Sequence, residues 1–245
     1  MSTPFTYAQY PSLTGKRVLV TGGGSGIGAG IVSAFRQQGA DVFFIDLAAA
    51  APDPGFIACD LTDLDALATA LATLLEGGAI DVLVNNAAND DRHTVQQVTP
   101  QYWDERMAVN LRHLFFCAQA VAPGMADNGG GAILNLGSIS WHLAQANLPL
   151  YMTAKAAIEG LTRGLARDLG GDRIRVNCII PGSVITPRQA RWHSPEGEAH
   201  ILAAQCLHER VLVEDIAAMA LFLASDNAAR CTGRDYFVDA GWYGA

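Results

Sequence analysis

The length, composition and charge of this chain limit what it can be. It has 245 residues, 50% of them hydrophobic, and a formal net charge of −8 at pH 7. Such a chain is long and apolar enough for one α/β domain with a large core, so residues 1–245 are interpreted as a single domain. The acidic balance argues against nucleic acid or an anionic membrane surface as a partner.

The sequence shows no sign of a membrane, secreted or metal-binding protein. It has no cationic apolar leader and no apolar run of the ~18 residues that would span a bilayer. Its cysteines are scattered without a Cys-x-x-Cys pair, and its histidines lack the spacing of a metal site. We therefore expect a cytoplasmic protein with free thiols and no catalytic metal.

The N-terminal region predicts a strand, a glycine-rich turn and a helix. Residues 16–20, Lys-Arg-Val-Leu-Val, lead into Thr21-Gly22-Gly23-Gly24-Ser25-Gly26-Ile27-Gly28, and apolar residues at helical spacing follow. A short strand over 41–45 then ends at Asp46. This order is typical of a dinucleotide-binding βαβ unit, because glycines let the backbone approach the pyrophosphate and the helix N-terminus attracts it.

Asp46 predicts which dinucleotide binds. It follows Gly28 at about the spacing, roughly 20 residues, expected of the carboxylate that binds the adenosine ribose hydroxyls. A carboxylate at this place would repel the 2′-phosphate of NADP, and no Lys or Arg stands in the turn to hold that phosphate. The sequence therefore favours NAD as the cofactor.

Strands and helices alternate along the rest of the chain. The predicted strands are 56–59, 81–84, 132–136, 173–180 and 235–239, and the predicted helices are 62–75, 101–126, 151–169 and 213–224. The alternation predicts an α/β fold, a doubly wound Rossmann domain whose parallel sheet carries helices on both faces. Ligands bind at the carboxyl ends of the strands in such a fold.

Polar residues follow several of these strands, and a tyrosine–lysine pair begins one helix. Asn86, Ser138 and Gly182 are each the second residue after a predicted strand, so they are expected at one crevice. Tyr151 and Lys155 lie four residues apart and therefore on the same helix face. A nearby cation favours phenolate, so we expect Lys155, together with a cationic cofactor, to lower the pKa of Tyr151.

Taken together, these motifs resemble the short-chain dehydrogenase/reductase family. The resemblance is carried by Thr21-Gly22-x-x-x-Gly26-Ile27-Gly28, Asp60, Asn85-Asn86-Ala87, Asn110, Ser138, Tyr151, Lys155 and Pro181-Gly182. One departure is Ala88, where the family usually has glycine. The resemblance implies a cofactor site made by Gly22, Ser25, Gly26, Ile27, Gly28, Asp46, Leu47, Asp60, Leu61, Asn86, Ala87, Ala88, Tyr151, Lys155, Pro181, Gly182 and Val184.

The resemblance also implies a role for each catalytic residue. Tyr151 would act as general base, and Lys155 would support it and hold the nicotinamide ribose. Ser138 would bind the reacting oxygen, and Asn110 would position a water that links Lys155 to solvent. Other interpretations stay open: Ser138 as a turn residue, Asn110 as a helix kink or buried amide, and Asp60 as a helix cap rather than an adenine contact.

The segments between the family motifs favour a polyhydroxylated substrate. The residues that follow the Asn86 and Ser138 strands, precede Tyr151 or follow Gly182 are rich in polar side chains and include two tryptophans. Several stretches, among them 85–93, 137–142 and 194–198, resemble bacterial NAD-dependent aldose 1-dehydrogenases, which act on sugars such as xylose and galactose. The implied reaction is oxidation of a pyranose at C1 to the lactone. The predicted substrate contacts are Asn89, Ser138, Trp141, His142, Asn147, Tyr151 and Trp192.

Other functions and the state of assembly remain open at this point. The alternatives are a reductase of ketoacyl or steroid carbonyls, an NAD-binding sensor without turnover, and a scaffolding protein. Small residues at Ala156, Gly160 and Gly164 make one face of the Tyr151 helix, which either packs on its own sheet or on another subunit. The family resemblance favours a homotetramer. The apolar tail 241–245 is expected to pack against a neighbour or the crevice.

Overall fold

The strands of the protein form one parallel sheet. The computed structural model describes residues 5–189 and 194–244. The strands are β1 (Arg17–Thr21), β2 (Asp41–Asp46), β3 (Phe56–Ala58), β4 (Val82–Asn85), β5 (Gly131–Leu136), β6 (Ile174–Pro181) and β7 (Asp235–Val238). They pair in parallel in the order β3-β2-β1-β4-β5-β6-β7. The direction of winding changes between β1 and β4, and the crevice at that switch point is the expected ligand site.

Helices cover both faces of the sheet. They are α1 (Gly26–Gln37), α2 (Leu64–Glu76), α3 (Pro100–Met107), α4 (His113–Asp127), α5 (Pro149–Leu169), α6 (Pro195–Ala204) and α7 (Val213–Ala224). Side chains of α1 and α7 pack with Val18 and Val20, whereas α2 and α4 pack with Leu19. Successive strand residues point to opposite faces, so β1 is buried on both. The predicted doubly wound α/β fold is confirmed.

Most predicted helices have the expected bounds. The side chain of Asp63 caps α2 by accepting hydrogen bonds from the backbone N–H groups of Asp65 and Ala66, each at 3.0 Å. α5 and α7 also match the predicted ranges. α6 was not predicted, because its sequence is mostly polar or small and has no clear apolar period.

The helix predicted over 101–126 is interrupted. Residues Ala108–Arg112 form a π-helical turn between α3 and α4, and Asn110 lies at its centre. A π-turn inserts one residue into a helix and is frequently found at functional sites. The continuous-helix prediction is therefore wrong at this point, since apolar spacing does not reveal a single inserted residue.

The small-residue face of α5 does not pack on its own sheet. A side chain built at Gly160 or Gly164 would meet no described atom within 4 Å. Of the two interpretations of this stripe, packing on the sheet of the same chain is therefore wrong for these two glycines. No helix within residues 5–189 and 194–244 is both long enough and apolar enough to cross a membrane.

Candidate active site

One cleft at the carboxyl ends of the strands gathers the predicted cofactor residues. It has a volume of about 470 Å³. Its wall includes every residue predicted for the cofactor: Gly22, Ser25, Gly26, Ile27, Gly28, Asp46, Leu47, Asp60, Leu61, Asn86, Ala87, Ala88, Tyr151, Lys155, Pro181, Gly182 and Val184. Further lining residues that were not predicted include Cys59, Val109 and Thr186. Strand ends supply most of the wall, which is why motif positions locate it well.

The glycine-rich turn is held against the end of β4. Gly22 has a φ of +69°, and a Cβ on it would lie 2.8 Å from the Ala87 Cα. The Asn86 side-chain amide donates to the carbonyls of Thr21 and Gly22 at 3.0 and 2.9 Å. The turn is thus fixed in a conformation that suits glycine, with the N-terminus of α1 directed at the cleft.

The Asp46 carboxylate is positioned at the cleft by backbone donors. Its oxygens accept hydrogen bonds from Gly24 N at 2.8 Å and Leu47 N at 2.7 Å. A glycine-rich turn, a helix N-terminus and a fixed carboxylate are the groups that a dinucleotide with a free adenosine ribose requires. The residues present therefore fit such a cofactor.

Asp60 lines the same cleft and also forms a local turn. Its Oδ1 accepts from the backbone N–H and the hydroxyl of Thr62, both at 2.8 Å. The cap of α2 is Asp63, so the helix-cap interpretation of Asp60 is wrong. Its contact with an adenine stays a prediction.

The residues predicted to be catalytic meet where β5, β6 and α5 come together. The Lys155 ammonium donates to the Leu136 carbonyl at 2.7 Å and lies 5.5 Å from the centroid of the Tyr151 ring. The Ser138 hydroxyl donates to the Ser140 hydroxyl at 2.9 Å, and accepts from the Ser140 backbone N–H at 3.2 Å. The sequence prediction that Ser138, Tyr151 and Lys155 share one site agrees with this geometry.

Burial is the main cause of the pKa shifts of Tyr151 and Lys155. Loss of solvent raises the pKa of Tyr151 above its ordinary value, and the charge of Asp90 adds to that rise. A hydrogen bond with Ser138 and the charge of Arg188 oppose the rise without cancelling it. Burial also lowers the pKa of Lys155 to about 8. In the protein alone the pKa of Tyr151 is therefore raised, because burial outweighs the hydrogen bond and the positive charge that favour the phenolate. A lowering of this pKa by Lys155 together with a cationic cofactor stays a prediction.

Asn110 is both a kink residue and a buried amide. Its Oδ1 accepts from Asn89 N at 2.7 Å, and its Nδ2 donates to Asn89 O at 3.1 Å. The side chain therefore fixes the loop after β4 to the π-turn. A water between Asn110 and Lys155 stays a prediction.

His113 lies buried just beyond the π-turn. None of the described residues makes a well-aligned hydrogen bond to either of its ring nitrogens. Burial lowers the pKa of His113 to about 4, opposed by the nearby Ala108 carbonyl and assisted by the charge of Lys155. The imidazole is therefore neutral at neutral pH.

A second cavity of about 480 Å³ adjoins the first. The two share Asp90, Ser138, Tyr151, Gly182 and Gln189, so the catalytic hydroxyls stand at their boundary. The rest of its wall includes Arg92, Ser140, Gln145, Ser183, His200 and Trp242. His200 was missed because α6 was not predicted, whereas the tail was expected to pack against a neighbour or the crevice.

The predicted substrate contacts are dispersed. Ser138 and Tyr151 line both cavities, and Asn89 lines the cofactor cleft. Trp141, His142 and Asn147 line neither of the two. Trp192 lies outside the described residues.

Two of these side chains bind an acid on α5 instead. Trp141 Nε1 donates to Glu159 Oε1 at 2.7 Å, and His142 Nε2 lies 2.9 Å from the same oxygen. Asn147 is exposed and has a φ of +63°, a conformation common for Asn in turns. The polar character of the segment predicted that these residues contact the substrate, but it could not show which way each side chain points.

An arginine spans the mouth of the cleft. Arg188 pairs with Asp90 and Asp91 at 2.8 Å each, and donates to the Asn89 side-chain oxygen at 3.2 Å. These contacts join the loop after β6 to the loop after β4. Two exposed loops are thereby held together across the cavity that contains Tyr151.

Comparison with known proteins identifies the family. A family model described as enoyl-(acyl carrier protein) reductase matches residues 22–243. The chain belongs to the short-chain dehydrogenase/reductase family. Membership of this family makes the protein an oxidoreductase that uses a nicotinamide cofactor. The cleft that contains Tyr151, Lys155 and Ser138 is its candidate active site.

Similar proteins include sugar dehydrogenases and a steroid dehydrogenase. The chain is 57% identical to D-xylose 1-dehydrogenase of Caulobacter vibrioides, covering 96% of this chain and 98% of that protein. It is 46% identical to a probable galactose dehydrogenase of Rhizobium meliloti, covering 96% and 97%. A solved 7α-hydroxysteroid dehydrogenase in complex with NADH and 7-oxo glycochenodeoxycholic acid superposes with a TM-score of 0.89 at 31% identity, covering 95% and 96%. The same fold thus serves different substrates.

Proposed function

We propose that this protein oxidises the C1 hydroxyl of an aldose pyranose to the lactone, with transfer of hydride to NAD. The geometric observation that carries the reaction type is the position of Ser138 and Tyr151, at the boundary of the cofactor cleft and a second, polar cavity. The substrate class is supported by high identity, over nearly the whole chain, to D-xylose 1-dehydrogenase. We propose a xylose-like or galactose-like sugar as the substrate, because the two similar proteins are named for xylose and galactose.

The protein's own groups account for proton removal and orientation. Ser138 binds the reacting oxygen and is itself oriented by Ser140. Tyr151 takes the hydroxyl proton, and Lys155, fixed by the Leu136 carbonyl, stands beside its ring. A bound oxidised cofactor would supply the acceptor for the hydride and a positive charge that would oppose the effect of burial on Tyr151. A hemiacetal hydroxyl is more acidic than an ordinary alcohol, which eases its deprotonation.

The preference for NAD rests on Asp46. Backbone N–H groups of Gly24 and Leu47 hold its carboxylate at the cleft. A 2′-phosphate brought to the same place would meet a fixed negative charge. The cofactor proposed is therefore NAD rather than NADP.

A reductase of ketoacyl or steroid carbonyls is the second candidate. It is favoured by the description of the family model and by the steroid dehydrogenase of similar fold. The second cavity argues against it, because Asp90, Arg92, Gln145 and Gln189 make a polar wall that suits hydroxyls better than a steroid or acyl chain.

A homotetramer is also proposed. The face of α5 that carries Gly160 and Gly164 is open among the described residues, as a helix that packs on another subunit would be. Light scattering at micromolar concentration should show a tetramer, and a monomer would contradict the proposal. A cytoplasmic location stays a prediction.

The test of the function is turnover on a panel of substrates. NADH formation is followed at saturating NAD with xylose, arabinose, galactose, fucose and glucose, and a ketoacyl compound is assayed in the reverse direction. Strong oxidation of one or two aldoses, yielding the lactone, is the expected result. Ketoacyl reduction without sugar oxidation would instead establish the second candidate.

A further inference from the structure

The C-terminal tail turns back into the active site. The Asp239 carboxylate accepts from Gly241 N at 3.0 Å and from Tyr243 N at 2.9 Å. Its backbone carbonyl also accepts from Trp242 N at 3.2 Å. Asp239 is buried and follows β7 directly, so the turn starts from a fixed point of the sheet.

The two aromatic residues of the tail face different surroundings. Trp242 is partly buried and packs against the small apolar cluster to which Ile139 belongs, and it lines the second cavity with Ser138 and Tyr151. Tyr243 packs instead on His142, with ring centroids 4.5 Å apart. The tail therefore contributes Trp242 to the second cavity, and the packing of Tyr243 on His142 holds the tail in place.

His142 is fixed in turn by Glu159. His142 Nε2 and Trp141 Nε1 lie 2.9 and 2.7 Å from the same carboxylate oxygen, and all three side chains stack or bond in one cluster. Glu159 is one helical turn beyond Lys155 on α5, so the cluster stands on the helix that carries the catalytic pair. A buried carboxylate that accepts hydrogen bonds from two side chains fixes the orientation of both, so this cluster is a rigid support.

We propose that Trp242 forms the apolar wall of the sugar site, and that Glu159, His142 and Tyr243 are positioning residues that hold it there. The inference rests on the proposed function. A pyranose presents C–H groups on its ring faces, and an indole ring offers a matching flat surface, while polar residues of the cavity bind the hydroxyls. His142, expected from the sequence to touch sugar, acts through the tail instead.

The experiment compares four single variants and one double variant of the full chain with saturating NAD. Trp242→Ala should raise the KM for the preferred sugar about tenfold, with the KM for NAD unchanged, and Trp242→Phe should restore most of the loss. Tyr243→Ala should raise the sugar KM by a smaller factor. Tyr243→Phe keeps the ring on His142 and should behave as the native protein.

The double variant separates positioning from mere packing. If Tyr243 acts only by holding Trp242, Tyr243→Ala adds nothing to the sugar KM once Trp242 is already alanine. Independent, multiplying effects would overturn the positioning role, and a lower melting temperature with unchanged sugar KM would overturn the whole inference. Failure of the proposed function appears separately, as absence of aldose turnover in the native protein, and would remove the sugar-facing role with it.

Discussion

The cofactor side and the substrate side of the active site are built differently. Strand ends and the glycine-rich turn form the cofactor side, and every residue predicted for it lies on one cleft. Loops, α6 and the C-terminal tail form the substrate side, and there Trp141, His142 and Asn147 line neither cavity. Positions at the ends of strands are set by the sheet, whereas the direction of a loop side chain is set by what it meets.

The difference between the two sides shows which side-chain contacts can be predicted from a sequence motif. Asn86 is fixed by the strand next to its own, because its amide donates to the carbonyls of Thr21 and Gly22 at the end of β1. His142 is fixed by Glu159, a residue of α5 that belongs to none of the motifs. The following predictions test whether the two sides behave as differently as they are built.

The largest effect is expected from Tyr151→Phe, which removes the hydroxyl that we propose takes the substrate proton. We expect kcat to fall about 10³-fold, as for loss of a general base, while NADH still binds. Steady-state rates and a fluorescence titration with NADH measure the two quantities. Tyr102→Phe is a matched control, since the Tyr102 hydroxyl contacts His93 outside both cavities. A Tyr151 variant with near-native kcat would remove the proposed mechanism.

Asp46→Asn tests the cofactor side. The substitution keeps the shape and removes the charge, so kcat/KM with NAD should fall about tenfold, as for a lost charge-assisted hydrogen bond, and kcat/KM with NADP should rise. The sugar KM should not change. Asp41→Asn, on the same strand but at its exposed opposite end, serves as control. An unchanged ratio of the two cofactors would show that Asp46 does not select between them.

His113→Leu tests the buried support behind the catalytic pair. The pKa of His113 in the folded protein, about 4, lies below the ordinary value of 6.5, so between these values the unfolded chain binds a proton that the folded chain does not. Stability is therefore lost as pH falls through this window. Over it the loss amounts to about 3 kcal/mol, at ~1.36 kcal/mol per pH unit.

Urea unfolding at pH 7 and at pH 4.5 measures this effect. The leucine variant should lose less stability than the native protein between the two pH values, and the difference is assigned to His113. Equal losses in both proteins would show that His113 does not contribute to acid sensitivity.

The smallest effect is expected at Asn147, on the substrate side. Its φ of +63° is easy for glycine and strained for alanine, so Asn147→Ala should lose about 1 kcal/mol of unfolding free energy and Asn147→Gly should lose less. The sugar KM should be unchanged in both, since Asn147 lines neither cavity. A higher sugar KM in the glycine variant would restore Asn147 as a substrate contact.

The sequence by itself determined the fold class and the cofactor side. Alternating apolar segments gave the order of strands and helices, and the glycines with Asp46 marked the dinucleotide turn. These features are local or periodic, so they are readable before the chain is folded. The pair Tyr151 and Lys155 was readable for the same reason, because helical spacing alone puts both on one face.

Only the tertiary structure decided the substrate side and the state of the catalytic tyrosine. The π-turn at Asn110, the Glu159 cluster and the place of Trp242 on the wall of the second cavity each depend on how different elements of the fold pack together. The raised pKa of Tyr151 depends on how much water packing removes from it. The burial and the orientation of a side chain depend on how separate segments pack together, so they cannot be predicted from any one segment.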